Sequence, residues 1–299
     1  YYHRIGIYDG DTLQCTVDAE GKVHQPLNPD RITSWEACGV TDDFVWTNED
    51  LKTFQGVYQG NHHVISGALF CGSSAGLISS LEGAVVNLRM EHCASIAKTL
   101  CQAIVVGESS GTVSNCSVSD SIVVSADTNA YTGAIVGLAK LNSVISYNTS
   151  ENNRIMNDGN AAGGIVGQSD VSVRDCLVNG GDVSGEESTG GIVGTVTNSA
   201  EGICIHGCQS SANISGKYHI GGICGYYVQY TFIEPSGPLT ISECTNRGNL
   251  TERAVSDYGL KQYLGGIMGD AQGAVTITKC HNSGDVLSDQ ETCNASEVN

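Results

Sequence analysis

The chain is expected to be all-β and wound as a right-handed parallel β-helix of about seven coils, behind a small N-terminal β-rich cap or module. Three observations predict this. A five-residue glycine motif returns along the chain, an apolar-x-x-Cys stretch follows most copies of it, and the composition opposes both helix and disorder. The motif stands at Gly163-Gly164-Ile165-Val166-Gly167 and recurs from Gly133 (GAIVG), Gly190, Gly221 (GGICG) and Gly265 (GGIMG), with weaker forms ending near Ile78 and Gly107. Its closing glycines, 107, 137, 167, 194, 225 and 269, are spaced 30, 30, 27, 31 and 44 residues apart. A fixed period of this size marks a repeat architecture in which each unit covers the next.

Composition selects the kind of repeat. With 38 glycines, 4 prolines and 15% charged residues, the chain is too glycine-rich for helical hairpins and too weakly charged for disorder. Its apolar segments are short and β-branched, which favours strands. Each unit is expected to hold three short strands separated by Gly, Asn and Asp turns. Equivalent strands of successive coils then pair at roughly 4.8 Å, so every position of the repeat becomes a column. One inward column is expected along Val85, Val113, Val144, Val173, Ile205, Ile241 and Ile277. A second runs along Leu88, Cys116, Tyr147, Cys176, Cys208, Cys244 and Cys280. Two inward columns at an odd separation require a corner between them. The glycines are assigned to turns with positive φ and to close backbone approach between coils.

The repeat accounts for residues 51–288. Residues 1–50 are expected to form the cap or module, and 289–299 a polar tail or linker. Asp9-Gly10-Asp11-Thr12 is assigned to a hairpin turn rather than a calcium loop, and His62-His63 to a turn in the first coil.

The run GGIVG, then Val-x-x-Cys, then NGGDVSG (residues 179–185), resembles the GLUG repeat of bacterial surface and adhesin-like proteins. FQGVYQGNHHVISG (54–67) is similar to the coil that precedes such repeats. The resemblance implies a β-helix exported to a bacterial surface, and it supplies no catalytic residues.

Charge and cysteine usage narrow the function. A net charge of −18 with only 14 Lys and Arg excludes nucleic acid and anionic membrane surfaces as partners. The longest apolar runs, such as residues 103–106, fall far short of the roughly 18 residues a membrane span needs. The chain opens on Tyr1 without a charged-then-apolar leader, as a mature or trimmed fragment would. Among 13 cysteines there is no Cys-x-x-Cys pair, which leaves no metal centre or cofactor to expect. Cys116, Cys176, Cys208, Cys244 and Cys280 are assigned to a structural ladder of buried thiols, and Cys15 with Cys38 is the pair best placed for a disulfide.

No two neighbouring coils place carboxylates in the outward columns beside the ladder, so no catalytic residues are assigned. The irregular coil between Gly225 and Gly269 carries two insertions with Tyr226, Tyr227, Tyr230, Tyr258 and Tyr263. These either contact a ligand or pack on the solenoid wall. The expectation is a secreted or cell-surface binding module for a host glycan or a host or bacterial surface protein, or a rigid spacer. The alternative is a polysaccharide lyase or glycoside hydrolase.

Overall fold

The computed structural model describes residues 53–288, apart from 62, 73–74, 126, 198–201, 230–236 and 254–261, together with two short strands near the N-terminus. Those two, Ile7–Asp9 and Thr12–Cys15, pair antiparallel, with Asp9 opposite Thr12. The Cys15–Cys38 pairing and the terminal segments otherwise lie outside the described residues.

The described chain is all-β, with parallel strands stacked in five sheets. One turn of the chain runs Val106–Ser109, Thr112–Ser114, Ser117–Ser119, Ile122–Ser125 and Tyr131–Gly133. Val136–Ala139 then lies in parallel register on Val106–Ser109. In that order the strands build sheets one to five, of seven, eight, eight, eight and six strands. A coil therefore holds up to five strands where the sequence suggested three.

The extra divisions come from single left-handed residues. Between sheets two and three the corner residue is Asn87 (φ 57°), Asn115 (54°), Tyr147 (58°), Asp175 (53°), Gly207 (66°), Glu243 (56°) or Lys279 (54°). Between sheets three and four it is Gly67, His92, Asp120, Asn152 or Gly180. One residue in this region turns the strand without a loop. The side chains on either side of it, such as Val113 and Cys116, both stay inside. This is the corner that the odd spacing of the two columns demands.

The repeated glycines act by another means than positive φ, since none in the copies from Gly133 to Gly269 adopts it; only Gly76, in the weak first copy, does. They mark a seam where sheet five folds back against sheet one. A Cβ on Gly163 would stand 1.9 Å from the Val166 carbonyl oxygen, and one on Gly164 2.2 Å from that of Gly191. On the closing Gly167 it would stand 2.3 Å from the amide nitrogen of Thr132, one coil back in sheet five. Ile165 and Val166, between these glycines, are fully buried. The motif thus joins two layers too close for side chains to a pair that fills the core.

That core is continuous along the described coils and is built from Val, Ile, Leu and Cys. Ile214, Ile220, Leu250 and Leu264 form a smaller cluster between sheets four and five. Each Val or Ile buried here contributes on the order of 1.5–3 kcal/mol.

The strand register corrects both predicted columns in one coil. Val113 pairs with Ile145, not Val144, because residues 140–143 make a longer turn. Tyr147 therefore moves to the exposed corner, and Asn148 takes the ladder position. Asn148 is fully buried, its Oδ1 accepting from the Cys116 N–H at 3.0 Å and its Nδ2 donating to the Val113 carbonyl at 2.9 Å. One side chain thereby serves two backbone groups of the neighbouring coil. Replacing it with Ala strands both and lowers stability by about 2 kcal/mol. Asn148→Cys, the residue type used on the next coil, costs less because Sγ refills the space; urea denaturation of the two variants measures the difference.

Candidate functional site

The two insertions in the irregular coil occupy the sheet one–two and sheet four–five junctions, and the strands around them keep register. Ile203 still pairs with Leu239, Ile214 with Leu250 and Gly221 with Gly265. On the face where sheets five and one meet, this coil and its neighbours gather an aromatic cluster. Tyr263 lies in register on His219 within sheet five, and Tyr226 pairs with Asp270 within sheet one. The His219 ring stacks on Tyr226 at 4.4 Å and 16°, and on Tyr263 at 5.6 Å and 9°. Asp270 Oδ2 stands 3.6 Å from His219 Nε2.

Of the five tyrosines singled out from the sequence, the structure brings together Tyr226 and Tyr263. Tyr227 is different. It is fully buried and donates its hydroxyl to the Gly237 carbonyl at 2.9 Å, so it belongs to the core and offers no surface to a ligand. Adjacent strand residues face opposite ways, and with Tyr226 outward its neighbour turns in. Tyr230 and Tyr258 lie outside the described residues.

His219 was not singled out from the sequence, where an isolated His-Ile-Gly carries no signal. Burial holds its pKa below the usual 6.5, while the Asp270 carboxylate pulls the other way. Its Nδ1 is buried and has no hydrogen-bond partner among the described residues. The Glu187 carbonyl, close by, accepts the His219 backbone N–H at 2.8 Å instead. A histidine whose folded pKa is depressed is taken up neutral, so its contribution is intact above the unfolded pKa of about 6.5 and is lost as pH falls below it. Thermal melting between pH 7.5 and 5 is therefore expected to show a fall in Tm that His219→Gln reduces.

The cysteine ladder is chemically quiet. Cys116, Cys176, Cys208 and Cys244 are buried, Cys280 is half-buried at the last coil, and all are free thiols. Each Sγ points at the carbonyl two residues earlier, at 3.4 Å for Ser114, 3.2 Å for Arg174, 3.4 Å for His206, 3.3 Å for Ser242 and 3.4 Å for Thr278. Burial pushes the Cys116 thiol up to about 11. Hydrogen bonding between neighbouring thiols, together with burial, raises Cys208 and Cys244 further. Cys116, Cys208 and Cys244, held protonated in this way, are poor nucleophiles and poor metal ligands.

The carboxylates of the corner column stand apart from one another. In the corrected corner column Gly207 separates Asp175 from Glu243, and Glu243 is held below the usual carboxylate range by Lys279 Nζ at 2.9 Å. Ser242 Oγ lies 3.0 Å from His206 Nδ1, which suggests a nucleophile and base. The third member fails, since Glu243 Oε2 is 4.0 Å from Nε2, beyond hydrogen-bond length. Among the described residues no group of three or more His, Cys, Asp or Glu could hold a metal ion.

The corrected register brings out one further surface residue, Tyr147. It is 61% exposed and sits at φ 58°, a conformation in which Asn, Asp or Gly is at ease and a bulky residue is strained. Asn115 and Asp175 hold the same corner on the adjacent coils, and Leu141, Val144 and Leu177 are exposed nearby in sequence or register. In the sequence Tyr147 stands out as the aromatic in the cysteine column; only the strand register moves it into the corner column of Asn, Asp, Gly, Glu and Lys. Relieving the strain with Tyr147→Asn is expected to stabilise the fold by about 1 kcal/mol, read from the urea midpoint.

No protein-family model, curated protein or solved structure matches this chain.

Proposed function

We propose that the chain is a right-handed β-helix of about seven coils on a secreted or cell-surface protein, where it binds a host glycan or a surface protein without turnover. The observation that carries this reading is the concentration of exceptions in one place. The two long insertions fall in the same coil, and beside them Tyr226, His219 and Tyr263 stack on the outer wall. Tyrosine offers an apolar ring with a polar tip, and insertions in a solenoid project from an otherwise regular wall. The GLUG-like repeat supports the bacterial-surface setting. A rigid spacer is the same reading without a ligand. The lyase or hydrolase alternative needs paired carboxylates in one groove, for which the corner column offers only the separated Asp175 and Glu243.

A glycan array probed with the purified chain tests this, run beside a Tyr226→Ala/Tyr263→Ala variant. Binding that the variant loses by tenfold or more supports recognition through this cluster. Silence from both directs the search to protein partners or the spacer role, and consumption of an arrayed glycan overturns the non-catalytic reading.

A further inference from the structure

We infer that the corner column around Tyr147 is a second binding ledge, distinct from the Tyr226–His219–Tyr263 cluster, which takes a linear, neutral polysaccharide lying along the solenoid axis. The strained tyrosine is the first support. An exposed aromatic at φ 58° is not required to make the turn, since Asn87, Asn115 and Asp175 make the same corner on other coils, and Tyr147 is the one aromatic in a column that elsewhere holds Asn, Asp, Gly, Glu or Lys. Strain retained without a structural return directs attention to what the side chain does outside the fold.

The neighbours give the ledge its chemistry. Parallel register places Asn115 on the coil before and Asp175 on the coil after, both exposed, so an amide and a carboxylate flank the ring at one coil spacing, about 4.8 Å. That spacing is close to the length a pyranose unit adds to an extended chain, so successive sugars meet successive coils. The ring supplies an apolar face for the C–H side of one sugar, while the Asp175 carboxylate and the Asn115 Oδ1, whose amide nitrogen donates to Asn87 Oδ1, accept from the hydroxyls of its neighbours. On the side of sheet two, the hydroxyls of Ser114 and Ser146 lie 3.1 Å apart and extend the polar border. Leu177, 40% exposed and one strand further on, continues the apolar surface across the corner.

Charge decides between polymers. The chain carries a net charge of −18, and on this side the exposed carboxylates of Asp175 and Glu151 outnumber the exposed guanidinium of Arg174, which lies in register on Ser146; the balance disfavours polyanionic chains and leaves a neutral polysaccharide as the fitting ligand.

Isothermal titration with neutral β-1,4-linked oligosaccharides of glucose, xylose, mannose and N-acetylglucosamine, each as dimer and hexamer, tests the ledge. At least one hexamer is expected to bind, with its dimer at least tenfold weaker, because several coils contribute. Tyr147→Asn is expected to weaken that binding at least tenfold while raising Tm, which separates loss of binding from loss of fold. Absence of binding by all hexamers, or affinity undiminished in Tyr147→Asn, overturns the inference. If the Tyr226/Tyr263 variant alone loses binding, the cluster is the site and the ledge is not.

Discussion

Everything in this protein depends on parallel strands pairing in register from one coil to the next. Because Ile145 must lie on Val113 and Val173 on Ile145, each residue's nearest neighbours are its own counterparts one coil away. A preference that is weak at one position is therefore repeated along the whole stack. A β-branched residue packs on others of its kind, a thiol on a thiol and a glycine on a glycine. Parallel pairing also needs a connection that returns each strand to its starting point. Here that connection is made by corners of a single left-handed residue, by the glycine seam, and by longer turns only after sheets one and four.

The seam and the corners solve opposite steric problems. At the corners a side chain is present and the backbone adopts a conformation that disfavours it. At the seam the backbone is ordinary and the side chain is removed, since any Cβ on Gly163 or Gly167 would overlap main-chain atoms. The closing glycine of the motif is kept at 107, 137, 167, 194, 225 and 269, while the corner residue ranges over Asn, Asp, Tyr, Gly, Glu and Lys. A Cβ at the closing glycine would overlap main-chain atoms, whereas left-handed strain at a corner costs only about 1–2 kcal/mol.

The seam glycines, the Ile/Val column and the buried thiols were all legible in the sequence, because each recurs with its chemistry unchanged. Strand number was not. A corner made by one residue such as Asn115 or Asp120 has no Gly-Pro punctuation, so two strands merge into one apparent segment. The slip at Tyr147 has a similar origin. The turn at residues 140–143 adds two residues, and Val144-x-x-Tyr147 then imitates the Val-x-x-Cys spacing while the true partner, Asn148, does not resemble cysteine. At the aromatic cluster, Tyr226 and Tyr263 drew notice by composition. The adjacency of His219 and Asp270 depends on which coils touch, which single-chain spacing does not reveal.

The two insertions leave the strands around them in register, and this has a consequence for how such a chain can diversify. The junctions after sheets one and four behave as open slots in a rack: material enters there without moving a rung. Selection can then vary the contents of a slot while the rungs stay under separate constraint. The wall and what it displays are free to change at different rates.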